Sequence, residues 1–390
     1  MTERRTDRLL GRDLLSVLVA QTFFGYSFSS FLLFPKFLAI ELGANAAQIG
    51  QVATVNRFST MVGLLVSGVV VDRFGRRPFL TAGALLMTQA SVSFFWVHEF
   101  GSLIFLLRGL QGLAFGMAFA AGSALVVDLA PPQKLAQAIG YFGLTMLSTN
   151  ALAPLSVEAL AAISGWRLAF TAAALGAGAC VVASFLIREP RHGGGEKNLI
   201  SGLLQVALDP KQLRCAVVIA IVGAAFATVF VLHQPFAVEL GMEQLSLFFV
   251  AYTGAALLVR LGAGPFVDRI GRSRVAVGSL FVYALAVGLT ADLANVGLTA
   301  LGGLLGLAHG FFYPSFNALA VEGANPHDRG KIMAVFQAWF TAGGAFGTFF
   351  LGALAHAEGY PVVFLVVGVA TFMALGVLVL SPEGRVAFRR

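Results

Sequence analysis

The stretch GVVVDRFGRR at residues 68–77 is nearly repeated as GPFVDRIGRS at residues 264–273. Each copy directly follows a long apolar run, and the two copies lie in opposite halves of a chain of 390 residues. Both keep the order aspartate, arginine, one apolar residue, glycine and arginine. A phrase this specific, recurring at the same place in each half, indicates that the chain contains two copies of one structural unit.

The flanking sequence extends this repeat in both directions. ELGANAAQIG at residues 41–50 aligns with ELGMEQLSLF at residues 239–248, and the basic phrases then fall into register with a two-residue adjustment. Further along, LRGLQGLAFG at residues 107–116 aligns with LGLAHGFFYP at residues 305–314. We therefore interpret the chain as a tandem duplication.

Composition places this duplicated unit in a membrane. Hydrophobic residues make up 58% of the chain and charged residues 12%, with a mean hydropathy of +0.84, whereas soluble domains are roughly 45 to 50% apolar. The apolar runs are long enough to cross a bilayer as helices and too continuous for barrel strands, which predicts an all-α membrane protein with twelve transmembrane helices. The spans are predicted near residues 14–40, 47–71, 78–96, 102–127, 137–162, 166–187, 214–236, 246–267, 275–291, 296–321, 331–355 and 361–380.

The twelve predicted spans divide into two groups of six. We expect an N-terminal six-helix bundle over residues 1–187, a cytoplasmic linker over residues 188–213 and a C-terminal six-helix bundle over residues 214–390. The three glycines at residues 193–195 are typical of a flexible hinge. The sequence that follows them lacks the Gly-Lys-Ser/Thr step of a phosphate-binding loop.

Basic residues are distributed unequally between the two sides of the membrane. The chain carries 26 Lys and Arg against 19 Asp and Glu, a net charge of +7. With the amino terminus in the cytoplasm, the basic residues left for spans and outer loops are Lys36, Arg57, Arg108, Arg167 and Arg260. This is the positive-inside pattern. We therefore expect a multi-pass protein of the cytoplasmic (inner) membrane with both termini in the cytoplasm, and no nucleic-acid partner.

The repeated phrase resembles the signature that major facilitator superfamily (MFS) transporters carry between their second and third helices, and GPFVDRIGRS resembles its weaker copy between helices eight and nine. Arg108, Gln111, Gly112 and Gly116 are similar to that family's Arg-x-x-x-Gly pattern in helix four. The resemblance covers nearly the whole chain. It implies two pseudo-symmetric six-helix bundles that rock about a central cavity, with substrate bound near the bilayer midplane.

The resemblance also implies a role for the repeated phrase. In the family, its aspartate and neighbouring residues latch one bundle to the other on the cytoplasmic side, and the latch opens during transport. The gate residues so implied are Gly68, Asp72, Arg73, Gly75, Arg76, Arg77, Asp268, Arg269, Gly271 and Arg272. The alternative is plain topology, because a short cytoplasmic loop is basic whatever its role.

Helix five departs from the Gly-Pro-x-x-Gly-Gly pattern of the family's drug exporters. The chain has APLSVE at residues 153–158, which keeps the proline but ends on Glu158. Glu158 is the one acidic residue that we place clearly inside a span, and Arg108 is predicted at a similar depth on a neighbouring helix. These two residues are our proton-coupling candidates. A static ion pair, or a carboxylate already in water at the outer surface, are the alternatives.

Several polar residues inside predicted spans are candidates for the substrate cavity. They are Arg57, Tyr26, Asn150, Gln111, His309, Tyr313, Asn317 and Gln337. His309 aligns with Gln111 in the duplication. Donors beside aromatic surface suit a small amphipathic solute, whereas hydrogen bonding between helices is the alternative for each residue. Gly302, Gly306 and Gly310 recur every four residues, a spacing that predicts close approach of a neighbouring helix.

Two transport functions fit this sequence. The first is secondary active, proton-coupled export of a small amphipathic compound by alternating access. The alternative is an uptake symporter or exchanger for a small anionic solute, which the cations inside the membrane favour. A non-transporting sensor or scaffold would not need duplicated gates, and the loops lack the groups of an enzyme active site. We expect a monomer without cofactor or metal, whose partners are the solute, protons and the lipid bilayer.

Overall fold

The computed structural model describes residues 11–188, 203–262, 264–325 and 328–385, with the backbone alone at 68–70, 72–74, 264–265, 268 and a few other positions. The described chain is helical and includes twelve long helices. The helices are α1 (Arg12–Glu41), α2 (Ala46–Phe74), α3 (Arg76–Ser93), α4 (Ser102–Leu129), α5 (Leu135–Ser164), α6 (Trp166–Ser184), α7 (Pro210–Glu239), α8 (Ser246–Gly262), α9 (Arg272–Leu289), α10 (Leu298–Val321), α11 (Arg329–Glu358) and α12 (Tyr360–Leu380).

These helices match the predicted spans in number and order. Within the described residues, ten of them are long and apolar enough to cross a membrane. The other two are α8, a shorter apolar helix, and α2, which has 29 residues. α1 passes through one 3-10 turn at Phe31–Leu33, and a short helix, Gly264–Ile270, follows α8. The predicted all-α, twelve-helix architecture is confirmed.

The two copies of the repeated phrase produce the same local backbone. Gly75 ends α2 and precedes α3 with a φ of 93°, and Gly271 precedes α9 with a φ of 93°. Residues with a Cβ rarely adopt this part of φ/ψ space, so glycine is required at both turns. The two halves of the chain therefore share the same glycine turn at this position.

Contacts divide the chain into two compact units. Unit 1 comprises the described parts of Met1–Phe34 and Phe58–Gly195, and unit 2 comprises Pro35–Arg57 and the described parts of Glu196–Arg390. The grouping differs from the predicted boundaries at Pro35–Arg57, which joins the second unit. Residues 189–202 of the predicted linker lie outside the described residues. The domain boundaries at 1–187, 188–213 and 214–390 stay a prediction.

In unit 2, the first part of α2 packs directly on α11. The Thr54 hydroxyl donates to the Ala345 carbonyl at 2.9 Å and lies 3.0 Å from the Thr348 hydroxyl. A Cβ on Gly50 would overlap the Thr348 carbonyl. This backbone contact explains why α2 contributes its first turns to unit 2.

Glycine spacing sets the packing of α8 against α10. A Cβ on Gly302 would overlap the Phe248 carbonyl, and one on Gly306 would overlap the Tyr252 carbonyl. The predicted close approach of a helix to this glycine row is confirmed, and the neighbour is α8. The backbone contact leaves no room for a side chain at either position.

Candidate substrate and gating sites

The structure describes part of the predicted gate. Six of the predicted gate residues are described in full: Gly75, Arg76, Arg77, Arg269, Gly271 and Arg272. The backbone alone is described at the other four, which are Gly68, Asp72, Arg73 and Asp268. Arg76, at the start of α3, forms an ion pair with Asp128 near the end of α4, with 2.7 Å between Nε and Oδ2. The Arg77 guanidinium lies over the Phe185 ring at 5.3 Å. Arg269 and Arg272 are exposed.

Polar side chains link α1 to α5 within unit 1. The hydroxyls of Tyr26 and Ser156 are 2.8 Å apart, and the Ser29 hydroxyl donates to Asn150 Oδ1 at 2.8 Å. The two cavity candidates in this group, Tyr26 and Asn150, are half-buried. They therefore hold helices together and still present polar surface.

Arg108 is enclosed by other groups of unit 1. It is 9% exposed, and its Nη1 donates to Gln111 Oε1 at 2.7 Å one turn further along α4. Its guanidinium also lies over the rings of Phe31 and Phe34, at 5.7 and 5.0 Å from their centroids. Gln111 is fully buried. This arrangement holds a cation inside the unit with partners that the protein itself supplies.

Glu158 lies in the last two turns of α5 and is half-buried. Arg108 lies in the second turn of α4. Proton coupling through these two residues, and their pairing with each other, stay predictions.

Arg57 stands in a different environment, inside unit 2. It lies near the middle of α2 and is half-buried. Its Nη1 is 3.1 Å from the point that a Cβ on Gly344 of α11 would occupy, and the Ala227 Cβ of α7 is 3.2 Å from the same point. Among the residues that the structure describes, no hydrogen bond or ion pair engages Arg57. The absence of a side chain at Gly344 makes room for the guanidinium.

His309 lies among aromatic rings from four other helices and its own. Its ring is stacked on Phe226 of α7 at 4.8 Å and on Tyr313 of α10 at 5.2 Å between centroids. Tyr252 of α8 and Tyr283 of α9 follow at 6.1 and 6.0 Å. The His309 Nδ1 is buried and has no hydrogen-bond partner within the described part of the chain.

The remaining candidates lie further along α10 and on α11. The Tyr313 hydroxyl donates to Gln337 Oε1 of α11 at 2.6 Å. Asn317 lies one turn beyond Tyr313 on α10 and is half-buried. Arg260 lies near the end of α8 and is exposed. His309, Tyr313 and Gln337 are thus linked by ring stacking and one hydrogen bond.

The sequence did not single out several residues that complete these groups. Asp128 could have been found by asking which acid partners the basic phrase. Phe226 and Phe340 could not have been found, because they are two of 36 phenylalanines. In a helix that is apolar on every side, the spacing of apolar residues does not indicate which face points inward. Chemically, Arg57 is a cation that no described residue pairs with, in a unit whose helices also carry half-buried aromatic rings, and this combination suits an amphipathic anion.

Comparison with known proteins identifies the fold and the family. The family model for the Major Facilitator Superfamily matches residues 15–250 and 215–389. The solved structure of the nucleoside transporter NupG has a TM-score of 0.76, 13% identity, and coverage of 97% of this chain and 100% of that one.

Two curated relatives share part of the sequence. Quinolone resistance protein NorA of Staphylococcus aureus (strain MRSA252) is 25% identical over 236 residues, which is 59% of each chain. The probable 4-methylmuconolactone transporter of Cupriavidus pinatubonensis (strain JMP 134 / LMG 1197) is 29% identical over 137 residues, 34% of this chain and 32% of that protein. This chain thus aligns with less than two thirds of either relative. With the family model matching nearly its full length, the chain belongs to the Major Facilitator Superfamily and is a multi-pass membrane protein.

Proposed function

We propose that this transporter moves a small amphipathic organic anion across the membrane by alternating access. The observation that carries the proposal is Arg57. A cation at membrane depth costs at least about 2.5 kcal/mol unless something balances it. No described residue pairs with Arg57, so the balancing charge is assigned to the solute.

The chemistry of the guanidinium narrows the solute. Arginine offers a planar fork of donors that matches a carboxylate or phosphate group. The half-exposed rings of Phe226 and Phe340 supply apolar surface close by. An anionic group joined to an apolar body uses both features.

The test is flux through purified protein in liposomes, with anionic and neutral members of one compound series. Arg57→Gln should reduce transport of the anionic members by at least about tenfold, since a charge-assisted hydrogen bond contributes about 1.5 to 3 kcal/mol. Arg57→Lys keeps the charge but loses the planar fork of donors, so its transport of the anionic members should fall between that of wild type and that of Arg57→Gln. Equal transport of anionic members by wild type and Arg57→Gln would refute the proposal.

A second candidate function is proton-coupled export, which specifies the direction of transport and its coupling ion. The likeness to NorA, whose name describes quinolone resistance, supports export, and Glu158 is its proposed proton carrier. Glu158→Gln should abolish accumulation driven by a pH gradient and retain downhill exchange, because the amide keeps its shape and hydrogen bonding but cannot titrate. Uptake driven by the same gradient would favour the anion symporter instead. Intact pH-driven accumulation in Glu158→Gln would exclude Glu158.

The proposed setting is the cytoplasmic (inner) membrane, with a monomer whose termini both face the cytoplasm. Cysteines introduced in residues 1–13, 188–213 and 381–390 should resist an impermeant thiol reagent added outside intact cells. Both native cysteines, Cys180 and Cys215, are buried, so background labelling should be low. External labelling of residues 188–213 would contradict this topology, and the mass of the purified complex tests the monomer.

A further inference from the structure

We infer that the transported anion carries a planar aromatic ring, which stacks on Phe226, His309, Tyr313 and Phe340 while its carboxylate binds Arg57. These four side chains are called the aromatic surface below. The inference rests on the proposed function and names its substrate class as aromatic carboxylates.

The aromatic surface is continuous across three helices. Phe226 of α7 lies 4.8 Å from His309 and 5.7 Å from Phe340 of α11, and Tyr313 lies 5.2 Å from His309 and 5.5 Å from Phe340. All four side chains are half-buried rather than buried. Each therefore presents part of its ring to the space beside the helices. Four adjoining rings that are each half-buried make a site on which another ring can stack.

Buried residues hold this surface in place. Tyr283 is fully buried and Tyr252 is 3% exposed, and both contact His309 from α9 and α8. The Tyr313 hydroxyl is fixed by its hydrogen bond to Gln337. Because the rings are already ordered, stacking a ligand on them costs little side-chain entropy.

The distance to Arg57 sets the size of the ligand. Phe340 and Gly344 are one turn apart on α11, which separates them by about 6 Å along the helix axis. The Arg57 Nη1 lies beside Gly344, and Ala227, next to Phe226, approaches the same point on α7. A ring on the aromatic surface would thus have its carboxylate on Arg57 if the two groups are joined directly or by a short chain. Benzoates and arylacetates have this shape.

The experiment uses the purified full chain and equilibrium binding of benzoate, cyclohexanecarboxylate and benzyl alcohol. Cyclohexanecarboxylate keeps the charge and the ring size but lacks the π system, and benzyl alcohol keeps the ring without the charge. Wild type should bind benzoate between about 2- and about 13-fold more tightly than cyclohexanecarboxylate, the range expected for one aromatic stacking contact. Benzyl alcohol should bind more weakly than either acid.

Substitutions separate the ring from the charge. Phe226→Leu combined with Phe340→Leu should remove the preference for benzoate and leave cyclohexanecarboxylate binding within about twofold. Phe349→Leu is the matched control, because Phe349 lies on the same helix, is exposed and contacts Phe350. It should keep the preference. Thermal unfolding of each variant checks that it is folded.

Three results would overturn the inference. They are equal affinity of wild type for benzoate and cyclohexanecarboxylate, a preference that survives in the double variant, and no binding of benzoate by wild type. Failure of the proposed function has a different signature. In that case Arg57→Gln would bind both acids as tightly as wild type, whether or not the preference for benzoate persists.

Discussion

Helices α4 and α10 hold equivalent places in the two copies of the duplicated unit, yet α4 carries an arginine where α10 has a glycine. In the alignment of residues 107–116 with 305–314, Arg108 corresponds to Gly306 and Gln111 corresponds to His309. Arg108 is buried in α4 and hydrogen-bonded to Gln111. At Gly306 the carbonyl of Tyr252 occupies the space that a side chain would need.

The difference separates an arginine that stabilises its unit from one that we propose binds the solute. Unit 1 keeps Arg108 and supplies its partners, including the faces of Phe31 and Phe34. Unit 2 has glycine at the equivalent position and instead places Arg57 beside Gly344 without a described protein partner. A buried cation with protein partners stabilises its unit, whereas one without them costs free energy until a ligand binds.

The largest expected effect tests this distinction directly. Arg108→Met should lower the free energy of unfolding by about 4 kcal/mol, since it removes two cation–π contacts and the charged hydrogen bond that satisfies the buried Gln111 oxygen. Arg57→Met is the matched substitution in unit 2 and should leave stability unchanged or higher. Thermal or denaturant unfolding in detergent measures both. Equal losses for the two variants would break the comparison.

The next largest effect is expected at Gly306, the residue of α10 that aligns with Arg108 of α4. Gly306→Ala should cost about 3 kcal/mol, because the added methyl group forces α10 away from the backbone of α8. Gly303 lies on the same helix with nothing within 4 Å of its Cβ position. Gly303→Ala should therefore be neutral or stabilising, because alanine favours helix more than glycine does. A similar loss for both variants would show that contact with Tyr252 is not the cause.

Much of this fold could be predicted because bilayer physics acts on each span separately. The predicted spans 102–127 and 361–380 correspond to α4 at Ser102–Leu129 and α12 at Tyr360–Leu380. The spacing of Gly302, Gly306 and Gly310 predicted a close helix neighbour, because glycine rows have few other uses in a membrane helix.

Two features could not be predicted from the sequence. The assignment of Pro35–Arg57 to unit 2 depends on which helices meet, and hydropathy carries no such information. The stacking of Phe226 on His309 depends on the rotation of α7 about its axis, which a helix apolar on every face leaves undetermined. Arg57 stood out by its charge, and coordinates were then needed to show that no described residue pairs with it.

A smaller effect compares the paired turns at the ends of the repeated phrase. Gly75→Ala and Gly271→Ala should each cost about 2 kcal/mol, because both glycines have a φ of 93° that alanine adopts only with strain. The duplication predicts similar losses in the two units. A loss at one turn alone would show that the other turn relaxes, and unfolding curves of the two variants distinguish these outcomes.

The smallest effect on stability is expected at the aspartates of the same phrase. In the gate proposal, Asp72 biases the transporter toward one conformation without touching the solute, so its loss changes populations rather than contacts with the ligand. Asp72→Asn should therefore keep the unfolding temperature and the equilibrium affinity of wild type while turnover falls several-fold. Asp268→Asn is its counterpart in unit 2 and should have a weaker effect, since GPFVDRIGRS is the weaker copy of the signature. Binding and flux measured on the same preparations test both variants. Normal turnover in Asp72→Asn would remove this residue from the mechanism, and a loss of affinity equal to the loss of flux would place it at the substrate instead.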